Sequence, residues 1–473
     1  MFAHCPSPWR ADVAPHDWSG LDTRLGTHAE PIVTAADIDG VGAALRLGAN
    51  APATGRWQSV RDAVTPIHRV RTTCRGCGDE ALERFLSLGH QPLANAFLRR
   101  PEDADDEPRF PLEVHMCTTC SLVQLADVIA PEVLFAEYIY VSGTSSTMAA
   151  HAARFAEDVS RVLSLSQHDL VIEVASNDGS LLRHFKERGA RVIGVEPARN
   201  IASVAIARGL ATDNRFFDAT CAVSLRSSHG AARLVIANNV LAHVDDTLGF
   251  LRGCAHLIDD GAVVVEVPYA GALLEGTEYD TIYHEHLCYF SLTALARVAE
   301  RAGLGISRVD EVSVHGGSIR VWMTKGSAHG EQARAMMASE QLQGLTRLDT
   351  WRAFAVRVME NKRALRMLLE QLHGEGKVVV GYGAPAKSST LLNFCGIDTS
   401  LLPFIVDRNP RKVGTLTPGT HIPVLGADAL LAREPDYVLI LAWNLADEVV
   451  EDQRTHRDRG GRFILPIPSP RIM

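Results

Sequence analysis

The sequence predicts an α/β protein with a small metal-bound lobe ahead of two sheet domains. Three observations predict it. Two CxxC pairs stand at Cys74/Cys77 and Cys117/Cys120. Buried-type strand runs alternate with helical runs across residues 141–330, the pattern of a doubly wound parallel sheet. A second unit of the same kind begins at residue 376. The 473 residues give room for about three domains. With 46% hydrophobic and 22% charged residues, the chain has the composition of a globular protein. The net charge of −9 argues against a nucleic-acid partner, whose domains usually carry a basic face.

Residues 1–70 carry much Ala, Gly and Pro with weak periodicity and read as an N-terminal extension, partly disordered. The start, "MFAHCPSPWRADVAPHDW", lacks the basic and apolar regions of a secretory signal. No uninterrupted apolar run approaches the ~18 residues of a membrane span. The expectation is a cytoplasmic protein with no membrane partner. The nine cysteines are an odd number, and Cys5, Cys221, Cys254, Cys288 and Cys395 stand singly, which is not a disulfide framework. In a reducing compartment, paired CxxC motifs more often bind metal.

A zinc-binding domain is expected over residues 71–140. Cys74 and Cys77 frame "RG", and Cys117 and Cys120 frame "TT". Two such turns give a tetrahedral Zn(Cys)4 site with no open position, so the zinc should be structural. Residues 78–116 exceed a ribbon's usual spacing and should hold a small fold of their own.

A helix, "AAHAARFAEDVSRVLSL", leads into the central domain. "DLVIEVA" is a continuous apolar run of the buried parallel kind. The turn "ASNDG" follows it, then a helix and the second strand "RVIGVEP". Ala175, Asn177 and Gly179 form the turn, where small residues let a ligand approach the backbone. Glu196 ends the second strand, about 20 residues on, where an acid can accept hydrogen bonds from both ribose hydroxyls. GxGxxG is missing. A pyrophosphate wants those glycines, whereas S-adenosylmethionine (SAM) has none to seat, so SAM is favoured over a dinucleotide. Asn238, ending the strand in "ARLVIANNV", joins the cofactor candidates.

"DTIYHEHLCYF" gathers Tyr283, His284, Glu285 and His286 near the end of another strand. The spacing is not HExxH, so it is not a zincin motif. Clustered His, Glu and Tyr suit proton transfer. The bland reading is a hydrogen-bonded loop with surface histidines. Across residues 331–375, Trp351, Phe354, Val358, Leu365 and Leu368 fall at helical spacing and read as core packing in linking helices. The C-terminal domain, 376–473, opens on "VVVGYGAPAKSSTLLN". Gly383 and Lys387 stand at a helix start, which favours phosphate, and Lys412 adds charge nearby. A dinucleotide site or an empty structural duplicate are the alternatives there.

The cysteine pairs, "SLGHQPLANAFL", "EVASNDGSLL", "GVEPARNIA", "YDTIYHEHLCYFSLTAL", "HGGSIRV" and "GYGAPAKSSTLLN" occur in this order. Together, over about residues 70–470, they resemble the sugar C-methyltransferases of deoxysugar antibiotic pathways. The resemblance implies a zinc domain, a Rossmann-like SAM domain and a second Rossmann-like domain gripping a dTDP-linked 4-keto sugar. It implies methyl transfer to C3 of that sugar through an enolate. An imidazole suits the base, being largely neutral at pH 7. His286 is the expected base, with Tyr283 relaying the proton or donating to the enolate oxygen. Glu285 would orient the histidine or bind the sugar, His243 in "LAHVDD" is a second candidate, and His284 is structural. Tyr138 and Tyr140 in "EYIYVSG" would border the sugar, with aromatic interdomain packing as their alternative. A monomer is compatible with the sequence. The family usually has Gly at the position of Ala175, and residues 1–70 match no part of it. Two other readings stand beside this one: O- or N-methylation of a small molecule, and an inactive zinc-knuckle binding protein.

Overall fold

The computed structural model describes residues 67–473 except 137, 139–142, 144, 145 and 315. Residues 1–66 of the expected extension (1–70) and the candidate Tyr140 therefore lie outside the described residues, whereas residues 68–70 of it form a strand of the first lobe rather than an irregular extension.

The first lobe is built on β1 (His68–Val70), β2 (Leu82–Pro92), β3 (Arg109–Cys117), β4 (Val123–Leu125) and β5 (Asp127–Ile129). In β3, Leu112, Val114 and Met116 are buried at every second position, the period of a sheet with one face on a core. β2 and β3 pair antiparallel, as do β3 and β4, while β1 pairs with β5.

The central sheet has β6 (Leu170–Val174), β7 (Arg191–Val195), β8 (Thr212–Asp213), β9 (Ala232–Asn238) and β10 (Ile258–Pro268). The next strand, β11 (Cys288–Tyr289), leaves this sheet and pairs with β4 of the first lobe. The chain returns with β12 (Leu304–Val312) and β13 (Ser318–Lys325), giving the order β12-β13-β10-β9-β6-β7-β8. All neighbours from β10 to β8 are parallel, and β13 runs antiparallel to both β10 and β12. Every residue of β6 is buried, as its unbroken apolar run requires of a strand covered on both faces. The strand order reverses between β6 and β9. Their carboxyl ends therefore open a crevice, where ligands of such sheets bind.

The C-terminal sheet has β14 (Val379–Tyr382), β15 (Ile405–Asp407), β16 (Val424–Gly426), β17 (Tyr437–Ile440), β18 (Arg462–Leu465) and β19 (Arg471–Ile472). Its order is β16-β15-β14-β17-β18-β19, parallel except for β19. The linking segment forms two helices, Glu331–Gln343 and Leu348–Gly374. The second buries Trp351, Phe354, Val358, Leu365, Leu369 and Leu372 along one face, while Leu368 packs at its margin.

That helix joins the parts. Its stripe shares one apolar cluster with Leu86 and Leu112 of the first lobe, Leu273 and Tyr279 of the central region, and Leu391 and Ile405 of the C-terminal unit. Truncating Phe354 to Ala would cost about 3–5 kcal/mol at such a buried position. Asn361, in the same stripe, accepts from the Tyr279 hydroxyl at 2.9 Å and donates to the Pro466 and Pro468 carbonyls at 2.8 and 2.9 Å. A buried polar side chain is tolerable when its bonds are made in this way. Among the described residues no helix is long and apolar enough to cross a membrane.

Candidate active site

The four predicted cysteines converge. Cys74 and Cys77 lie in the turn before β2, Cys117 ends β3, and Cys120 follows in the next turn. Their sulfurs all lie within 4.8 Å of one another, and among the described residues they are the group able to hold a metal. The Cys74–Cys120 and Cys77–Cys117 separations are 3.4 and 3.5 Å. A tetrahedral zinc with Zn–S near 2.3 Å would hold its sulfurs about 3.8 Å apart. The Gly76 N–H and the Gln124 amide donate to Cys74 Sγ at 3.3 and 3.1 Å, which supports a thiolate. Four protein sulfurs fit zinc and leave no open position. The knuckle also braces the neighbouring lobe. Arg75, between the cysteines, donates to the Leu125 carbonyl and, at 2.9 Å, to Asp245, two residues beyond His243.

One cavity of about 1400 Å³ reaches from the central sheet to the C-terminal sheet. At its central end the chain turns after β6 with Ala175 and Asn177 at φ 54° and 50°, in the left-handed region, and Gly179 at 72°. A Cβ on Gly179 would lie 2.1 Å from Leu210 Cδ1, so the turn needs glycine there for space as well as conformation. Glu196 holds the turn. Its carboxylate accepts the Asn177 and Ala198 N–H groups, both at 2.8 Å. Burial raises its pKa, and these bonds oppose the rise. Glu173, on β6, stays further above the usual carboxylate range, through burial and then the nearby Glu196 and Asp178 charges. One Glu173 oxygen and the amide oxygens of Asn238 and Asn239 are buried without hydrogen-bond partners, and all three residues line the cavity. SAM carries ammonium, hydroxyl and amino donors and a positive sulfur, which suits an end lined with unfilled acceptors.

In the middle of the cavity stand Tyr283 and His286. His286 Nδ1 lies 2.8 Å from the Thr281 carbonyl. A carbonyl only accepts, so Nδ1 carries the hydrogen and Nε2 holds the lone pair. Nε2 in turn takes the Tyr283 hydroxyl at 2.8 Å. His243 also lines the cavity, its ring edge-on to His286 with centroids 4.8 Å apart. Burial pushes its pKa down to about 4, so it stays neutral near pH 7. Glu285 takes hydrogen bonds from the Asn95 amide at 2.7 Å and the Tyr138 hydroxyl at 3.2 Å, joining the loop to "PLANAFL" of the first lobe. His284 is buried against Phe110 and bonds the Pro111 carbonyl at 3.0 Å.

At the far end, Gly383 and Lys387 line the cavity after β14, with Lys412 beside them. The Lys387 ammonium donates to Asn444 at 2.5 Å and lies 3.7 Å from the Trp443 ring centroid. Lys412 donates to the Ala384 carbonyl at 2.7 Å. Burial lowers both ammonium pKa values, and the carboxylates nearby oppose the shift. The Ala384 N–H is taken by Asp407 at 2.6 Å, so that donor of the glycine turn is already used within the protein.

Several cavity residues escaped the sequence reading. Phe216 and Asp218 follow β8, Asn239 follows Asn238, and Asn95, Glu278 and Asn444 come from three separate loops. The doubled "NN" and the "FFD" after a strand were usable signals. Asn95 lies within the quoted "SLGHQPLANAFL", and no local pattern marks Glu278 or Asn444.

Comparison with known proteins divides the chain three ways, the last part beginning before β13 of the central sheet. A family model described as a zinc binding domain matches residues 74–135, a methyltransferase domain matches 148–308, and a C-methyltransferase C-terminal domain matches 313–468. The C-methyltransferase NovU of Streptomyces niveus is 39% identical over 418 residues, which is 88% of this chain and 99% of NovU. Among solved structures, magnesium protoporphyrin IX methyltransferase (ChlM) from Synechocystis with bound SAH is 16% identical. That match covers 38% of this chain and 84% of ChlM, with a TM-score of 0.30. An S-adenosylmethionine-dependent methyltransferase from Clostridium acetobutylicum is 12% identical over 38% of this chain and 92% of its own, with a TM-score of 0.31.

Proposed function

The chain belongs to the C-methyltransferase family, and from that premise we propose that it methylates C3 of a dTDP-linked 4-keto-deoxysugar through an enolate, using SAM. The observation that carries the reading is the Tyr283–His286 pair. It stands in one cavity between an acceptor-rich end and an end bearing Lys387 and Lys412.

A carbon–hydrogen bond does not attack a sulfonium until its electrons are freed. A ketone at C4 lowers that cost by spreading the charge onto oxygen. Glu173, Glu196, Asn238 and Asn239 would hold the cofactor, which when bound supplies an electrophilic methyl group. Lys387 and Lys412 would anchor the nucleotide part, so that remote binding energy positions the sugar. The hydrogen leaves C3 as a proton for the Tyr283 oxygen while the phenol's own proton passes to His286 Nε2. The Nδ1–H bond to Thr281 keeps that lone pair aimed at Tyr283. The carbon–hydrogen electrons become the enolate and then the new carbon–carbon bond. His243 stays neutral beside the charged His286, because an imidazole titrating about 4 takes up no second proton at pH 7. Tyr138 and Glu285 would frame the sugar with Asn95.

Mass spectrometry after incubation with SAM and a panel of dTDP-4-keto sugars tests this reading. A product heavier by one methyl group on carbon is expected, and no turnover across the panel refutes the substrate class. Both C3 and C5 flank the ketone, so locating the methyl by NMR checks the position. Methylation at C5 would overturn C3 and leave the enolate standing. Without turnover of SAM, solvent deuterium should still enter at C3. Its absence in an otherwise active mixture would favour O- or N-methylation.

A further inference from the structure

Glu278 is a buried acid in the cavity wall that the reaction above does not use. It lies between helix Ala270–Gly276 and the Tyr279–Thr281 turn, and only 7% of it is exposed. Its carboxyl group makes no hydrogen bond or ion pair with any described residue, yet it lines the cavity. Two backbone segments hold it. A Cβ on Gly316, at φ 93°, would lie 2.7 Å from Oε2, and one on Gly276 would lie 2.9 Å from Oε1. Side chains at those glycines would displace the carboxyl group, so the packing selects its position without satisfying its polar atoms. Its oxygens are open to the cavity. A ligand can make the missing bonds.

The surroundings say what kind. Asp280, on the same loop, is held by the Trp443 N–H at 2.6 Å. Lys387, from helix Ala386–Cys395, lines the same cavity as Glu278, and its charge acts on both acids. From helix Leu348–Gly374, Arg357 is engaged by the Leu274 carbonyl at 2.6 Å and Thr277 at 3.4 Å. Glu275 is exposed, and His315, beside Gly316, lies outside the described residues. A diphosphate drawn to Lys387 would meet the Glu278 carboxyl group, with Asp280 buried outside the cavity lining. An ionised Glu278 would repel it, whereas a neutral one has an O–H to give.

We propose that Glu278 is a substrate-binding residue that meets the sugar nucleotide as a neutral acid, donating a hydrogen bond to a diphosphate oxygen beside Lys387. The proposal rests on the sugar-nucleotide reading above. Burial, and then the Asp280 charge, push the Glu278 pKa up to about 8 against the pull of Lys387, so the acid form prevails at neutral pH. A bound anion raises that value further. Affinity is therefore full below the free protein's pKa and falls as pH rises through it.

The test is calorimetry of thymidine diphosphate with the zinc-loaded full chain at about pH 7 and about pH 9.5. Wild-type affinity should fall about tenfold or more between the two. Glu278→Gln, a neutral donor of the same shape, should bind like wild type at the lower pH and lose less than about threefold at the higher. Glu278→Ala should lose about tenfold at the lower pH. An equal alkaline loss in Glu278→Gln would assign the titration to Lys387 and overturn the proposal, as would unchanged binding by Glu278→Ala. SAM affinity of each variant checks its folding. If the variants do not fold, infrared difference spectra of wild type decide: a protonated carboxyl band that shifts on adding thymidine diphosphate supports the proposal, and no such band refutes it. Wild type that binds SAM but no thymidine diphosphate would sink the sugar-nucleotide reading itself, whereas binding that is indifferent to Glu278 would sink this inference alone.

Discussion

In the central sheet, Glu196 follows the second strand and accepts the N–H of Asn177 from the turn after the first strand, at 2.8 Å. In the C-terminal sheet, Asp407 ends the second strand and accepts the N–H of Ala384 from the corresponding turn, at 2.6 Å. The two turns are thus tied by the same device and open on one cavity, but their linings differ. The central turn is surrounded by acceptors, Glu173, Asn238 and Asn239, and the C-terminal turn by the ammonium groups of Lys387 and Lys412. In the proposed function, one backbone plan would serve two ligand chemistries, with the side chains around each turn deciding which. An acceptor-rich end suits a cationic, hydroxyl-bearing cofactor. A cationic end suits a diphosphate.

The comparison can be broken at both ends or at one. The largest effect should come from Cys74→Ser, because the zinc lobe packs against both sheets' surroundings. Loss of the metal should destabilise the protein on the order of 5 kcal/mol and weaken both ligands together. Metal content and urea melting check this, and retained zinc with an unchanged midpoint would refute it. Next, His286→Asn should cut turnover about a hundredfold to ten-thousandfold while leaving SAM and thymidine diphosphate affinities near wild type. Steady-state kinetics beside calorimetry separates the two effects.

Smaller changes should be confined to one end. Glu196→Gln removes the charge from two backbone hydrogen bonds and should weaken SAM about ten- to hundredfold, with the sugar nucleotide's KM unchanged. Lys387→Met should do the reverse, raising that KM about tenfold with SAM affinity intact. If either variant weakened both ligands equally, the division of labour between the sheets would be wrong. The smallest effect is expected at Ala175, whose φ of 54° costs a Cβ-bearing residue about 1–2 kcal/mol. Ala175→Gly relieves that and loses about 0.5–1 kcal/mol through the freer unfolded chain. A net gain of about 0.5–1 kcal/mol in denaturant unfolding is the expected outcome. Destabilisation would show that the turn has relaxed around the methyl.

Much of this was open to a reader of the sequence. CxxC spacing brings two sulfurs together within one turn, so the metal cluster is a local property repeated twice. The unbroken apolar run of β6 and the helical spacing from Trp351 to Leu368 announce strand and helix for the same reason: burial follows backbone period. Glu196 was legible because a second strand of fixed length ends at the crevice. Only the tertiary structure decided the rest. β11 leaves its own sheet for the zinc lobe, and Glu285 spends its carboxylate on Asn95 and Tyr138, partners 190 and 147 residues away. The His286 tautomer is set by the Thr281 carbonyl, and Glu278 owes its position to glycines on either side of it in space. These features depend on which loops meet. Contact across long stretches of chain leaves no period in the sequence to read, whereas strand, helix and metal turn each do.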